Sequence, residues 1–327
     1  MQSAKYNVAV LLIFFNRPET FRQVFEAVKK ARPSKLYLYQ DGARNDADRE
    51  KIMACRSIAE EIDWECAVYK WYQEKNVGCD PSGYKAQNWF FQNEEQGIVL
   101  EDDVVPNESF FPFCLELLNR YKCDERINMI CGMNNLDILD DVQESYFFSE
   151  YGSIWGWASW RRVVQTWDEN YTWMENKNTI ADLKRTFASD NTWKMFYETA
   201  LRHAKEGKAY HETINGVSQK LYHRLNIIPK YNMITNVGAT ADSTHSNENV
   251  QLIPKFQRSL MYKKTYEINF PLIHPKYVIQ NHVFDADVEK RATLWNRFLV
   301  LIERVCLILR YEGVGELIKK IRKRLKG

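Results

Sequence analysis

No two of the seven cysteines, Cys55, Cys66, Cys79, Cys114, Cys123, Cys131 and Cys306, stand in a C-x-x-C pair. Zinc ribbons and thioredoxin-type redox sites are thereby disfavoured, and an odd, scattered set fits a reducing compartment better than a disulfide framework. Nor is there a run of about 18 apolar residues free of charges, the length a bilayer-spanning helix needs. A formal net charge of only +2 gives no global attraction to nucleic acid. The first residues, Met1–Asn7, lead into a strand-like run without a charged leader and cleavage site, so the body is expected in the cytosol. Internal repeats and low-complexity linkers are also missing, which makes one shared core the expectation.

What is present is alternation. Hydrophobic residues make up 45% of the chain, enough for a sizeable core. Residues 8–15, VAVLLIFF, form a continuous apolar run that suits a strand buried on both faces. Asn16 follows with Pro18 and Glu19, which reads as a capped helix start, Asn16 and Glu19 forming a capping box. Phe21, Val24, Phe25 and Val28 recur at helical spacing, and Pro33 punctuates the end. Strand readings at Leu36–Gln40, Ala67–Tyr72 and Gly97–Leu100 alternate with helix readings around Ile52–Ile62 and Ser82–Phe91. The pattern predicts an α/β fold, a mostly parallel sheet flanked by helices. Ligands of such sheets sit beyond the carboxyl ends of the strands. That singles out Asn16-Arg17, Asp41-Gly42, Asn76–Gly78 and Glu101–Asp103. Residues 1–130 or so read as a nucleotide-binding half, and 131–250, rich in Trp and Tyr, as an acceptor-binding half.

The segment GIVLEDDVV, Gly97–Val105, is the most specific signal. Three consecutive carboxylates, Glu101, Asp102 and Asp103, leave an otherwise apolar strand. Adjacent acids repel one another, and a divalent cation would relieve them. Mg²⁺ or Mn²⁺ prefers oxygen ligands and commonly keeps only one or two protein carboxylates, with phosphate and water supplying the rest. The competing reading is a solvated acidic turn.

LEDDVVPNESFFPF is similar to the D-x-D region of GT-A glycosyltransferases, and close to the E-D-D segment of bacterial family-2-like sugar transferases and of the N-acetylglucosaminyltransferases that start complex N-glycans. GSIWGWASWRRVVQTWD, Gly152–Asp168, resembles the W-G-W-A-x-W stretch of those bacterial enzymes. NIIPKYNMITNVGATADSTHS, Asn226–Ser246, resembles their P-x-x-N-x-x-x-N-x-G ending followed by A-T-H-T. The resemblance covers residues 8–246 and implies a GT-A (Rossmann-like) catalytic domain over 1–250. The implied reaction is an inverting sugar transfer from a nucleoside diphosphate carrier, UDP in the family's usual case.

Residue by residue, the resemblance places Phe15, Asn16 and Arg17 beside the nucleoside and Asp41 at its base or ribose. Asn76 and Gly78 fall in a neighbouring loop. It gives Asp103 the metal, with Glu101 and Asp102 on ribose, metal-bound water or backbone. His245 matches a histidine that completes the metal or diphosphate site. The general base of the related enzymes is an acid in a W-D pair, and here that pair is His211-Glu212. Glu212 is therefore the candidate base, with Asp168, Glu169 and Asp190 as rivals. Trp155 and Trp157 are candidates to line the acceptor cleft, against the ordinary alternative that they pack the core. A sugar nucleotidyltransferase is the rival enzyme class; it normally needs a glycine-rich loop after the first strand, where this chain has Asn16-Arg17-Pro18. A non-catalytic, membrane-associated sugar-binding protein is the rival outside enzymes.

Residues 251–327 read as a C-terminal extension of amphipathic helices. Between 314 and 327 lie six cations, Lys319, Lys320, Arg322, Lys323, Arg324 and Lys326, against the single acid Glu316, which leaves the body mildly acidic. With Val314, Leu317, Ile318, Ile321 and Leu325 on the opposite face, this suits adsorption to an anionic membrane surface. The expected enzyme is therefore peripheral at the cytoplasmic membrane face, with a saccharide or lipid-linked acceptor and a role in cell-surface polysaccharide synthesis.

Overall fold

The structure, a computed structural model, describes residues 2–187, 189–239, 252–291 and 294–326. The first half alternates as expected: β1 (Tyr6–Phe14), α1 (Pro18–Ala31), β2 (Pro33–Gln40), α2 (Asp46–Ala59), β3 (Ala67–Tyr72), α3 (Cys79–Asn93) and β4 (Gln96–Glu101). The second half is β5 (Val104–Pro106), α4 (Phe110–Arg120), β6 (Ile127–Cys131), β7 (Tyr146–Ser149), β8 (Trp157–Trp160), α5 (Arg161–Val164), α6 (Lys177–Arg185), α7 (Asp190–Glu206), α8 (His211–Leu221), β9 (Leu225–Pro229) and β10 (Ile234–Asn236). The extension adds α9 (Lys255–Leu260), α10 (His282–Arg291), α11 (Leu294–Tyr311) and α12 (Gly313–Lys326).

One eight-stranded sheet runs in the order β3-β2-β1-β4-β8-β6-β9-β7. Its first four strands are parallel, β8 runs antiparallel between β4 and β6, β6 and β9 are parallel, and β7 closes the edge antiparallel. The apolar run of β1 explains this position. Val8, Val10, Leu12 and Phe14 enter the core shared with α1, α2 and α4, while Ala9 and Leu11 enter the core on the opposite face with α3. A strand with no polar side can only be covered twice. In α1, Phe21, Val24, Phe25 and Val28 are wholly buried, each contributing roughly 1.5–3 kcal/mol by burial.

Two expectations are corrected here. Asn16 does not cap α1: no side-chain bond caps that helix, and the Asn16 amide instead donates to Asp48 Oδ1 of α2 at 2.6 Å. A buried carboxylate competes better for the amide than the helix amides do, since charge-assisted hydrogen bonds are the stronger ones. Trp157 is not a surface platform. It is 2% exposed, with its ring stacked 6.1 Å from Phe91 and near Trp167. Being on β8, with a helix against each face of the sheet, it has no route to solvent. Trp160 is likewise buried, its indole nitrogen donating to the Leu118 carbonyl, whereas Trp155 is half-buried.

A polar network fixes α8 to the sheet. Asn128 of β6 donates to Asn215 of α8 and to Asn226 of β9 at 3.2 and 3.0 Å, and Asn226 donates to Gln219 of α8 at 3.2 Å. The extension docks through α10, where Asp285 accepts from Ser149 and Glu289 accepts from Tyr151 at 2.7 Å. Beyond it, α11 and α12 expose Leu301, Ile302, Leu309, Tyr311, Val314 and Ile318. Among the described residues no helix is long and apolar enough to cross a membrane.

Candidate active site

The carboxyl ends of β1, β2, β3 and β4 bring the expected residues together. Glu101 is the last residue of β4, and Asp102 and Asp103 turn the chain into β5. β5 pairs antiparallel with β10, which sets Asn236 opposite Val104. The Asn236 amide donates to Asp103 Oδ1 at 3.3 Å, and the Val237 amide donates to the Asp103 carbonyl at 2.8 Å. A Cβ on Gly238 would collide with Asp103 Oδ2, so only glycine allows this approach. Asn236 and Gly238 were not singled out from sequence, although the N-x-x-x-N-x-G segment carried the signal. His245 lies outside the described residues.

Arg17 answers the acids. Its guanidinium donates to both Asp102 and Asp103, the latter at 2.9 Å, and the Phe15 amide donates to Asp102 Oδ2 at 3.1 Å. Burial works to lower the Arg17 pKa, and the two aspartates more than reverse it. Burial raises Asp102, with Arg17 opposing. For Glu101 burial comes first, then the charges of Asp103, Glu212 and Asp102; together they push its carboxyl up to about 8. Desolvation and the charges of Glu101, Asp80, Asp102 and Glu212 likewise push the Cys79 thiol up to about 12. Glu212, more than a hundred residues downstream, thus shares an electrostatic neighbourhood with the triplet.

Asp41, Asn76 and Gly78 do meet, but as a self-contained joint. Asp41 accepts from the amides of Gly42, Val77 and Gly78 and from the Asn76 side chain, all between 2.8 and 3.0 Å. A carboxylate with two hydrogen bonds on each oxygen ties two loops together and has little left for a nucleoside. Phe15 lies under the Arg44 guanidinium, 5.0 Å from its centroid, and Arg44 grips Asp48 through two bonds of 2.8 Å. Those bonds, with the Asn16 amide, hold the Asp48 carboxyl down to about 2. Asn16 is therefore committed to a structural joint as well.

The start of α8 is set by packing. His211 is buried with no hydrogen-bond partner for either ring nitrogen among the described residues, and burial lowers it to about 4, so the ring is neutral. It rests on Gly83 of α3, where an added Cβ would fall 2.7 Å from Nδ1. Glu212 follows, exposed, at the lip of a groove of 1290 Å³ walled by α7, α8 and α10. The rival acids are placed differently. Asp168 accepts from the amides of Asn170 and Thr172 in its own turn, Asp190 pairs with Lys184 at 2.8 Å on the surface, and Glu169 borders a separate cavity beside Trp71.

The triplet itself offers carboxylate oxygens, the ligand type that a hard cation such as Mg²⁺ or Mn²⁺ takes. Among the described residues no three His, Cys, Asp or Glu side chains form a ready-made cage. A cation here would draw its remaining ligands from phosphate and water, which suits Mg²⁺, and Arg17 already marks where positive charge is wanted. The residues fit such an ion.

The Glu101 shift carries a pH consequence. With the folded value near 8 and the ordinary value 4.5, the folded protein holds a proton that the unfolded chain releases between them. Stability in metal-free buffer therefore falls as pH rises from about 4.5 to about 8. Glu101→Gln removes that slope: the variant should melt above the wild type at pH 8 and alongside it near pH 4.5, read by thermal denaturation in chelator. Parallel melting curves at both pH values would show that Glu101 is ionised as usual.

No protein-family model matches the chain, and no curated protein matches it in sequence. Three of the solved structures that resemble it each share 11% identity with the chain. HddC from Yersinia pseudotuberculosis aligns over 48% of this chain and 79% of its own, with a TM-score of 0.31. The glycosyltransferase GlyE of Streptococcus pneumoniae aligns over 56% of this chain and 39% of its own, with a TM-score of 0.27. The 4-diphosphocytidyl-2C-methyl-D-erythritol synthase of Anaerococcus prevotii aligns over 59% and 84%, with a TM-score of 0.31.

Proposed function

We propose that the protein is a metal-dependent inverting glycosyltransferase that moves a sugar from a nucleoside diphosphate carrier, UDP by the family resemblance, to a saccharide or lipid-linked acceptor. The observation that carries the reading is the position of Glu212. It acts electrostatically on the acid triplet while standing at the lip of the groove walled by α7, α8 and α10. A donor diphosphate belongs at the Arg17 side of the triplet, and an acceptor hydroxyl belongs at the groove side.

In this reading Arg17 stands beside the departing diphosphate and balances the aspartates. Asp103, held by Asn236 and Arg17, would hold the cation with water and phosphate oxygens as the other ligands; when bound, Mn²⁺ or Mg²⁺ supplies charge that stabilises the leaving group. Glu212 takes the proton from the acceptor hydroxyl as that oxygen attacks the anomeric carbon on the face away from the diphosphate, and inversion follows. A nucleotidyltransferase would need backbone amides free to cradle triphosphate after β1. Here that loop spends Arg17 on the aspartates, Asn16 on Asp48 and the Phe15 amide on Asp102.

Two substitutions separate the roles. Asp103→Asn should abolish transfer and weaken Mn²⁺-dependent binding of UDP in calorimetry. Glu212→Gln should slow transfer about 10²–10⁴-fold with donor affinity unchanged. Full activity of the asparagine variant, or of the wild type in excess EDTA, removes the metal from the mechanism. A glutamine variant with near-normal transfer returns the base to another acid.

The extension supports a peripheral membrane role. Six exposed apolar side chains stand on α11 and α12, two of them, Val314 and Ile318, in the cationic stretch 314–327, and each basic residue near an anionic surface contributes on the order of 1 kcal/mol, screened by salt. Deleting residues 314–327 should cut sedimentation with phosphatidylglycerol liposomes steeply while transfer to a short soluble acceptor persists. Equal liposome binding by the truncated and full-length proteins would end the membrane reading.

A further inference from the structure

Gly216 stands in the middle of α8, four residues after Glu212 and so one turn along the same face, and it lines the same groove. Inside a helix only proline is less favourable than glycine. Packing does not demand the glycine: a Cβ at 216 would meet no atom within 4 Å. Gly83 shows the contrast, since there the His211 ring leaves no room for a side chain. The space over Gly216 is open, and it opens onto the groove beside the candidate base.

The groove walls have a definite chemistry. Tyr151, Phe187 and Phe196 offer aromatic surface, and Met195 adds to it. The cations lining it each have an acid partner: Lys220 with Glu150 at 2.6 Å, Lys290 with Asp287 at 2.9 Å and Arg202 with Glu206 at 4.0 Å. Glu289 accepts from Tyr151. Apolar ring faces next to mutually compensated charges suit a neutral polyhydroxylated ligand. Sugar C–H faces lie on the aromatics, and hydroxyls share hydrogen bonds with the paired ions. A phosphorylated or carboxylated ligand would compete with those acids for the same cations. At 1290 Å³ the groove exceeds the roughly 300–1,000 Å³ of a drug-sized site, which leaves room for more than one sugar.

We infer that this groove is the acceptor site for a neutral oligosaccharide, with Gly216 as the bare floor on which the reacting sugar lies against the helix backbone within reach of Glu212. The inference rests on the glycosyltransferase reading above.

The test uses full-length protein, a panel of neutral p-nitrophenyl di- and trisaccharides as probes, and the variants Gly216→Ala and Gly216→Trp. Gly216→Ala should raise the melting temperature by about 2 °C, because it removes a helix-interior glycine without a clash, and should raise the acceptor KM about tenfold. Gly216→Trp fills the groove. It should abolish both transfer and saturation-transfer NMR contact with the probes, while Mn²⁺-dependent affinity for UDP, which this reading sets at the acid triplet, stays as in the wild type. Probe binding retained by a folded Gly216→Trp overturns the inference, as does absence of binding by the wild type or loss of UDP affinity in the variant. If Gly216→Trp does not fold, an unchanged probe affinity in the more stable Gly216→Ala overturns it instead. No nucleoside diphosphate released by the wild type from any nucleotide-sugar, with probe binding intact, would refute the transferase reading and leave the groove as an oligosaccharide-binding site without an acceptor role.

Discussion

Three carboxylates at the end of a strand covered on both faces must find positive charge or keep a proton, and the molecule does both. Arg17 spans Asp102 and Asp103, and Glu101 stays protonated over much of the neutral range. Placing such acids there is costly, since nothing in the burial of β4 requires charge at its end. The compensation reaches far along the chain. It requires the β1 loop to bring Arg17 back, the β5–β10 ribbon to deliver Asn236, and a glycine at 238 to let the backbone close on Asp103. A binding centre of this kind is expensive for an unliganded protein, and that expense is what a cation and an anionic ligand would relieve.

The second half of the chain holds one helix still. α8 is restrained at its first residue by His211 on Gly83, at its middle by Asn215 on Asn128, and towards its end by Gln219, which bonds Asn226 and the Glu150 carbonyl. Glu212 and Gly216 lie on the remaining open face. Rigid support of this sort is what a reacting group needs, because misplacement by about 1 Å can cost two orders of magnitude in rate.

Much of the first half was legible in sequence. The β1 run had no polar alternation, so it had to be central, and Phe21, Val24, Phe25 and Val28 named the buried face of α1. The acid triplet announced itself by charge. Other assignments failed because several residues compete for the same partners. Asn16 has the composition of a helix cap, and only the fold reveals that Asp48 is nearer. Asp41 reads as a ligand-facing acid until the Asn76–Gly78 loop folds onto it and takes its lone pairs. Trp157 illustrates a different limit, because stacking on a sugar and stacking on Phe91 favour the same residue. Gly216 was silent: a glycine conspicuous for the emptiness above it is visible only once neighbours are in place.

The strand order has a consequence for how the chain assembles. β1, β2 and β3 arise from successive strand–helix–strand units that close short loops, and β4 reaches back past them to pair with β1. β6 gains its parallel neighbour β9 only after a long excursion, as the Asn128–Asn226 bond across 98 residues shows. Closing that loop costs about as much chain entropy as pairing β4 with β1, but it comes later in synthesis. On the ribosome the first four strands can condense early and β8 can enter between β4 and β6, whereas β6 waits with an unpaired edge until β9 emerges. The interval between those events is when this protein is most exposed to aggregation, and it is where a chaperone would matter.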